Sequence, residues 1–486
     1  MIEESNAGRI PELARIRVGR MAASPFAFLR GTAGLMAYDL MSAPVTGIGA
    51  QICGDAHAAN FGLYGDARGG LVMDLNDFDE TVYGPWEWDL KRLVTSLVLA
   101  GREAGVGEKR CVEAARDAAG AYRRTMRLLA TMPAADAWNA IADERLVSYA
   151  DARDLAGTLE QVAQKARKNT SARFAAKATE SIPGGGRRFV DAPPILRRVP
   201  DEVAAAVVRS LGPYLETLPE DRLPLLARYT VQDVAFRVVG TGSVGLRSYV
   251  VLLLDHLGEP LVLQVKEVRG SALAPYVEKT GFPVPAVAHE GRRVVLGQRR
   301  MQVVSDTLLG WTTVRIREGR ADGGQAGGSR GKGRTGESEA EGARTSTRTG
   351  TSPEDAEAVG GATGAGRVGG GRKQGGAAGR STARGREGAG IPFQVRQFRN
   401  RKGSVDPAVL AADQIDDYAR MTGALLARAH AHSADPRTVA GYCGKSTALD
   451  DALTTFAVAY ADRTESYHAD LVAAIREGRI EGEMGV

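Results

Sequence analysis

Residues 54–92 read GDAHAANFGLYGDARGGLVMDLNDFDETVYGPWEWDLKR. Asp55, His57, Asn60, Asp74, Asp77, Asp79, Glu80 and Asp89 fall in this one stretch, with glycines and aromatics between them. A packed core has no need of so many carboxylates, which repel one another and lose hydration when brought together. A divalent cation compensates them most simply, and hard oxygen ligands suit Mg2+. The spacing also predicts local structure. NFGLY and LVMDLNDFD flank a turn at 65–70, which predicts a hairpin that carries the second acidic cluster back beside the first. Pro85 to Leu93 then opens a helix.

Asp55 and Asn60 stand in a D-x-x-x-x-N pattern. That pattern closes the catalytic loop of kinases, where the Asp takes the proton of the acceptor hydroxyl and the Asn holds a metal. Asp77-Phe78 would then take the place of the metal-binding Asp of the D-F-G element. Alone the pattern is weak, because Asp and Asn beside Gly are ordinary turn residues. The acidic cluster one hairpin later gives it weight.

The second informative stretch is 232–268, QDVAFRVVGTGSVGLRSYVVLLLDHLGEPLVLQVKEV. Gly240, Gly242 and Gly245 form G-x-G-x-x-G. A dinucleotide fold requires a helix after the glycines. Here LRSYVVLLL comes next, then a turn at 258–260, then LVLQVK, so the order is strand, glycine loop, strand, turn, strand. That is the kinase order, in which the loop covers the phosphates and a lysine on the third strand reaches them. Lys266 is that lysine. Glu267, Glu278 and Glu290 are rivals to pair with it. The competing reading is a glycine-rich hairpin with a surface lysine.

The remainder is quieter. In 24–31, SPFAFLRG, Ser24 caps a helix with Pro25 at its first position; Arg20 and Arg30 either point at a phosphate or are surface charges, and the surface reading is favoured. Residues 90–230 are helical in pattern, broken by a Pro/Gly loop over 181–200. Residues 293–303 read as a strand. The segment 317–392 is Gly-rich and lacks aromatics, a composition that does not bury enough apolar surface to offset ordering entropy, so a disordered insertion is expected. A short strand resumes near Phe393, and its basic end, Arg396, Arg399, Arg401 and Lys402, reads equally as a contact for an anionic substrate or as a solvated edge. His430 and His432, two apart, point to different faces of one helix and do not suggest a metal pair. Residues 446–480 read as a final amphipathic helix.

The 486 residues are 43% hydrophobic with a net charge of +5. So small a charge gives no argument for nucleic acid, which is disfavoured as a partner. No run approaches a membrane span and no leader is visible. Cys53, Cys111 and Cys443 are scattered, which suggests a reducing, cytoplasmic compartment.

GDAHAAN, then the acidic Asp77-Phe78, then a helix opening with Asp89-Leu90 resembles the aminoglycoside phosphotransferase and protein-kinase-like superfamily. More closely, SPFAFLRG, the 54–92 stretch, the GTGSVG segment and TGALLARAHAHS at 422–433 are similar to the bacterial family called domain of unknown function 2252. The resemblance implies an α+β fold with two kinase-like lobes, a large helical one and a small antiparallel-sheet one. Since Asp55 precedes Gly240, the order would be circularly permuted. The expected divisions are 1–230 helical lobe, 231–316 strand-rich nucleotide lobe, 317–392 insertion and 393–486 completing the helical lobe. The implied activity is Mg2+-dependent transfer of the ATP γ-phosphate to an unknown acceptor. Asp55 would act on the acceptor hydroxyl. Asn60 and Asp77 would bind Mg2+, with Asp74 and Asp79 as rivals, and Gly240, Gly242, Gly245 and Lys266 would hold the nucleotide. Asp89 and Arg92 would brace the loop. The alternatives are a nucleotide-binding regulator without turnover and a metal-dependent hydrolase using the acidic cluster alone.

Overall fold

The computed structural model describes residues 1–141, 143, 152–238, 244–316 and 390–484. Gly240, Gly242 and nearly all of the expected insertion lie outside the described residues. Met1–Arg317 and Gly388–Val486, on either side of that insertion, form one compact unit. It is a mixed α+β fold in which every paired strand is antiparallel.

Apolar residues at three- and four-residue spacing build the helical part. Helices Trp86–Glu103, Glu108–Ala130, Ala412–Ala431 and Ala448–Arg476 pack against one another. Their facing positions are small or aliphatic, with Ala114, Ala118, Leu425 and Ala429 fully buried. A Cβ placed on Gly423 would strike the carbonyl of Ala118, so glycine lets these two backbones touch. Ser24 caps helix Pro25–Arg30 by accepting the Ala27 N–H at 3.1 Å. Among the described residues, no helix is long and apolar enough to cross a membrane.

The largest sheet has six strands, in the order Gly310–Val314, Ile391–Gln397, Pro260–Glu267, Ser248–Leu254, Thr230–Arg237, Leu196–Arg198. Just past Gly245 the chain enters the strand Ser248–Leu254, in the order read from the sequence. Alternation gives the sheet two faces. Tyr249, Val251, Val265, Phe393 and Val395 pack with Val207 and Tyr214 of helix Asp201–Leu215. Val250, Leu252, Val262 and Phe398 on the other face pack with Ala175 and Ala178 of helix Ser171–Ala178. Farther along, that second face turns polar: Lys266 lies opposite Ser248 and Gln394, and Gln264 lies opposite Arg396. Helices on both faces explain the unbroken run YVVLLL, which no half-exposed strand would carry.

The acidic stretch forms the predicted hairpin, Phe61–Gly65 with Leu71–Leu75, extended by Gly403–Ser404. Strands Gly49–Ile52 and Val82–Pro85 pair on either side of it.

Three local expectations are corrected. Residues 293–303 are not a strand; they lie mostly in helix Glu290–Met301, whose buried Val294, Val295, Gln298 and Met301 keep helical spacing and whose N-terminus is capped by His289. The loop expected over 181–200 contains Arg187–Phe189 and the edge strand Leu196–Arg198. Ile391 and Pro392, assigned to the insertion, open the strand that crosses the sheet.

Replacing Gly423 by alanine should cost about 1–3 kcal/mol, because the helix pair must separate to admit a methyl group. A lower urea midpoint with an unchanged slope checks this.

Candidate active site

The 53–60 loop is held on one face of helix Trp86–Glu103. Asp89, Arg92 and Ser96 are three and four residues apart and so share a stripe. Asp89 accepts the N–H of Cys53 at 2.8 Å and of Gly54 at 3.0 Å. Ser96 Oγ accepts the Ala58 N–H at 2.8 Å. Arg92, buried, donates to Asp55 Oδ1 at 2.5 Å and to the Leu29 carbonyl at 2.7 Å. His430 stands 3.3 Å from Asp89 and 2.9 Å from the Tyr122 hydroxyl, so it braces the clamp from the neighbouring helix. Gly54 has a φ of +78°, and a Cβ there would strike the Glu80 carbonyl. The turn and the end of the acidic strand therefore lie back to back.

Asn60 ties these two segments together. Its amide donates to the carbonyls of Asp55 and Asp77, each at 3.0 Å, and its Oδ1 accepts the Asp77 N–H at 2.8 Å. Across from them Lys266 reaches down from the sheet. Its Nζ lies 2.5 Å from Asp79 Oδ2 and 3.6 Å from Asp77 Oδ1. Two parts of the chain far apart in sequence thus meet at one point.

The carboxylates are not equivalent. Asp74 is fully buried, 3.0 Å from Arg428 and hydrogen-bonded to the N–H of Leu75 and Val303. It is a structural ion pair and does not join the group. The Asp79 carboxylate is turned to Lys266. Asp77 has a half-exposed side chain. Burial would push its carboxyl up, yet Lys266, Arg396 and Lys402 outweigh this and hold it at about 2. Burial, and then the charge on Asp77, keeps Asp79 raised. Burial pushes Asp55 up to about 6 against the pull of Arg92. His57, with Nε2 3.7 Å from Asp55, is held well below its ordinary range by burial and by Arg30 and Arg92, and is neutral.

No glutamate among the described residues pairs with Lys266. Glu267 faces Arg247 at 3.2 Å, and Glu290 holds Arg293 at 2.6 Å. Arg293 in turn donates to the carbonyls of Thr81 at 2.6 Å and Asp79 at 2.8 Å. Gly245 lies at the base of the glycine stretch with a φ of +93°, its carbonyl accepting the Ile10 N–H at 2.9 Å.

Asp55, Asn60 and Asp77 line a cavity of about 380 Å3, together with Arg30, Asn169, Arg396, Arg399 and Lys402. The basic end of the strand after the insertion therefore faces the acidic residues. Arg30, for which the sequence favours a surface charge over a phosphate partner, lines the same cavity, brought there by the packing of helix Pro25–Arg30 against the 86–103 helix. Among the described residues, no three His, Cys, Asp or Glu side chains converge as a metal cage. Mg2+ needs none: it usually takes one or two carboxylates and completes its shell with water and substrate phosphates. Asp77 and Asn60 Oδ1 fit that role; Asp79 is engaged with Lys266.

A family model described as an uncharacterized protein conserved in bacteria (DUF2252) matches residues 9–320 and 341–474. The chain belongs to the DUF2252 family. No curated protein and no solved structure matches it. For this DUF2252 protein the reading of the site therefore rests on its own geometry.

The two kinds of carboxylate should separate in stability. Arg428→Met leaves Asp74 buried and unpaired, at a cost of about 3–5 kcal/mol. Asp77→Asn, at a half-exposed carboxylate, should shift stability by no more than about 1 kcal/mol. Urea denaturation of both variants checks the contrast.

Proposed function

We propose that this DUF2252 protein is a phosphotransferase that moves the γ-phosphoryl group of ATP to a hydroxyl of an acceptor, with Mg2+. The observation that carries the reading is the meeting of Lys266 with Asp79 at 2.5 Å and Asp77 at 3.6 Å, beside Asp55 and Asn60. A lysine at the end of the third strand of an antiparallel sheet, facing an acidic pair that comes after a D-x-x-x-x-N loop, is the kinase constellation.

Asp55 takes the proton of the acceptor hydroxyl as its oxygen bonds to the γ-phosphorus. The bond from that phosphorus to the bridging oxygen breaks, and ADP leaves with the electron pair. Arg92 holds one Asp55 oxygen and leaves the other for the hydroxyl. Asp77 and Asn60 Oδ1 would hold Mg2+, which when bound offsets the charge on the phosphates. Lys266 contributes a buried cation aimed at the same point. The described end of the glycine stretch, from Val244 to Leu246, borders Arg9, so Gly240, Gly242 and Gly245 are not assigned the nucleotide's phosphates in this reading.

The fold we infer is a kinase-like pair of lobes in circularly permuted order. One observation supports it: the sheet runs strand, glycine stretch, strand, lysine strand, with the helix Glu290–Met301 between the lysine strand and the next two. One departure from kinases is plain: the partner of the lysine is Asp79, not a glutamate on the helix.

A thermal-shift panel of nucleotides should give stabilisation by ATP only with Mg2+. Asp55→Ala should lower ADP release at least about 100-fold while Mg·ATP affinity stays within about threefold. Chelation of Mg2+ should abolish release. If wild type and Asp55→Ala release ADP equally slowly while both bind Mg·ATP, the protein is a nucleotide sensor and not a transferase.

A further inference from the structure

The acidic residues stand at the junction of two cavities, of about 380 Å3 and 440 Å3, both lined by Arg30, Asp55 and Asp77. We infer that the phosphate chain of the nucleotide lies in the first, against Arg396, Arg399 and Lys402, and that the acceptor enters through the second, which takes a hydroxyl compound without a phosphate of its own. This rests on the phosphotransfer reading.

The two walls differ in what their cations are doing. In the first cavity Arg396 donates to the Gln264 side chain at 3.0 Å and Arg399 to the Asn169 side chain at 3.0 Å. Both partners are neutral. Among the described residues no carboxylate lies within ion-pair distance of Arg30, Arg396, Arg399 or Lys402, and Arg30 Nε is buried without a hydrogen-bond partner. Lys402 is drawn down to about 7 by burial and then by Arg396, with Lys266 adding and Asp77 and Asp306 opposing. Four basic side chains here face only Asp55 and Asp77, neither within ion-pair distance of them, an excess of positive charge that favours a polyanion, and guanidinium forks match phosphate oxygens in pairs.

The second cavity is different. Apart from Arg30, shared with the first cavity, its arginines are already engaged with backbone carbonyls. Arg9 donates to Val244 at 2.6 Å, Arg17 to Gly31 at 2.7 Å and Arg269 to Ala7 at 2.6 Å. Besides the shared Asp55 and Asp77 it adds three carboxylates, Asp79, Glu4 and Glu80, of which Glu4 faces the Met1 amino group at 3.5 Å and Glu80 is pushed up to about 7 by burial and by Asp79 and Asp55. A phosphate would meet repulsion there. Phosphoryl transfer also needs attacking and leaving oxygens roughly in line through phosphorus. Donor and acceptor must then reach the reacting atom from opposite sides, and Asp55 at the junction faces both.

The test uses the full-length protein and inorganic tripolyphosphate with Mg2+ as the probe. By titration calorimetry, Arg396→Gln/Lys402→Gln should bind it at least tenfold more weakly than wild type, and the KM for ATP should rise by a similar factor. Glu80→Gln should change tripolyphosphate affinity less than threefold. If the double variant does not fold, Lys402→Gln alone, whose ammonium has no ion-pair partner among the described residues, should still lose about threefold. The assignment is overturned if Glu80→Gln strengthens tripolyphosphate binding while the double variant leaves it unchanged. ADP release with an unchanged KM in the double variant would sink the assignment and leave phosphotransfer standing. Tight tripolyphosphate binding lost in the double variant, with no ADP release by wild type, would sink phosphotransfer and the acceptor route with it, leaving only an anion site.

Discussion

The contact on which the rest depends is a buried ammonium between two carboxylates. Taking Lys266 out of water costs several kcal/mol, and its attraction to Asp79 and Asp77 roughly offsets that without a large surplus. Such a pair is a poor way to add stability. Its effect is to fix the end of the sheet's third strand against the end of the acidic hairpin. Other bonds converge on the same place: Arg293 on the carbonyls of Asp79 and Thr81, and Gln302 on the carbonyl of Leu75 at 2.6 Å. Together these bonds position the sheet on residues 74–81 of the helical body.

Within that joint the acidic residues divide into those that build and those left to act. Asp74 and Asp89 are consumed by Arg428, by backbone N–H groups and by His430. Their charges are answered inside the protein in a fixed geometry. Asp77 is half-exposed and shares its only ion-pair partner among the described residues with Asp79. Asp55 keeps one oxygen on Arg92 and a carboxyl group raised by burial. Ionised Asp55 is disfavoured by burial and by Asp77, so stability alone gives no reason for a carboxylate at that position.

Much of this was legible in the sequence because it depends on local rules. The hairpin comes from alternation around a Gly/Asp turn. The strand order around Gly245 comes from β-branched residues where a dinucleotide fold would need a helix. Asp74 was not separable from Asp77 and Asp79, because its role is set by Arg428, which lies far along the chain. Ser96 carries no signal for the same reason, and Arg30 is left undecided between surface and site, because each depends on a neighbour that only packing supplies. Residues 293–303 were misread because Val294 and Val295 suggest a strand, while the period of Val294, Gln298 and Met301 is helical and won.

Chain order is a poor guide to this site, and the physics says why. A catalytic group needs a fixed position relative to a cation and a phosphate, and nothing in that requirement mentions sequence direction. The joint is the part that must be preserved, and here both halves of it are self-contained. The 53–60 loop and the acidic hairpin are clamped to one helix by Asp89, Arg92 and Ser96, within a single stretch of chain. The lysine strand is locked in register with its neighbours on both sides. Each half is thus ordered by contacts of its own, and their meeting depends on the joint rather than on the order in which the chain visits them.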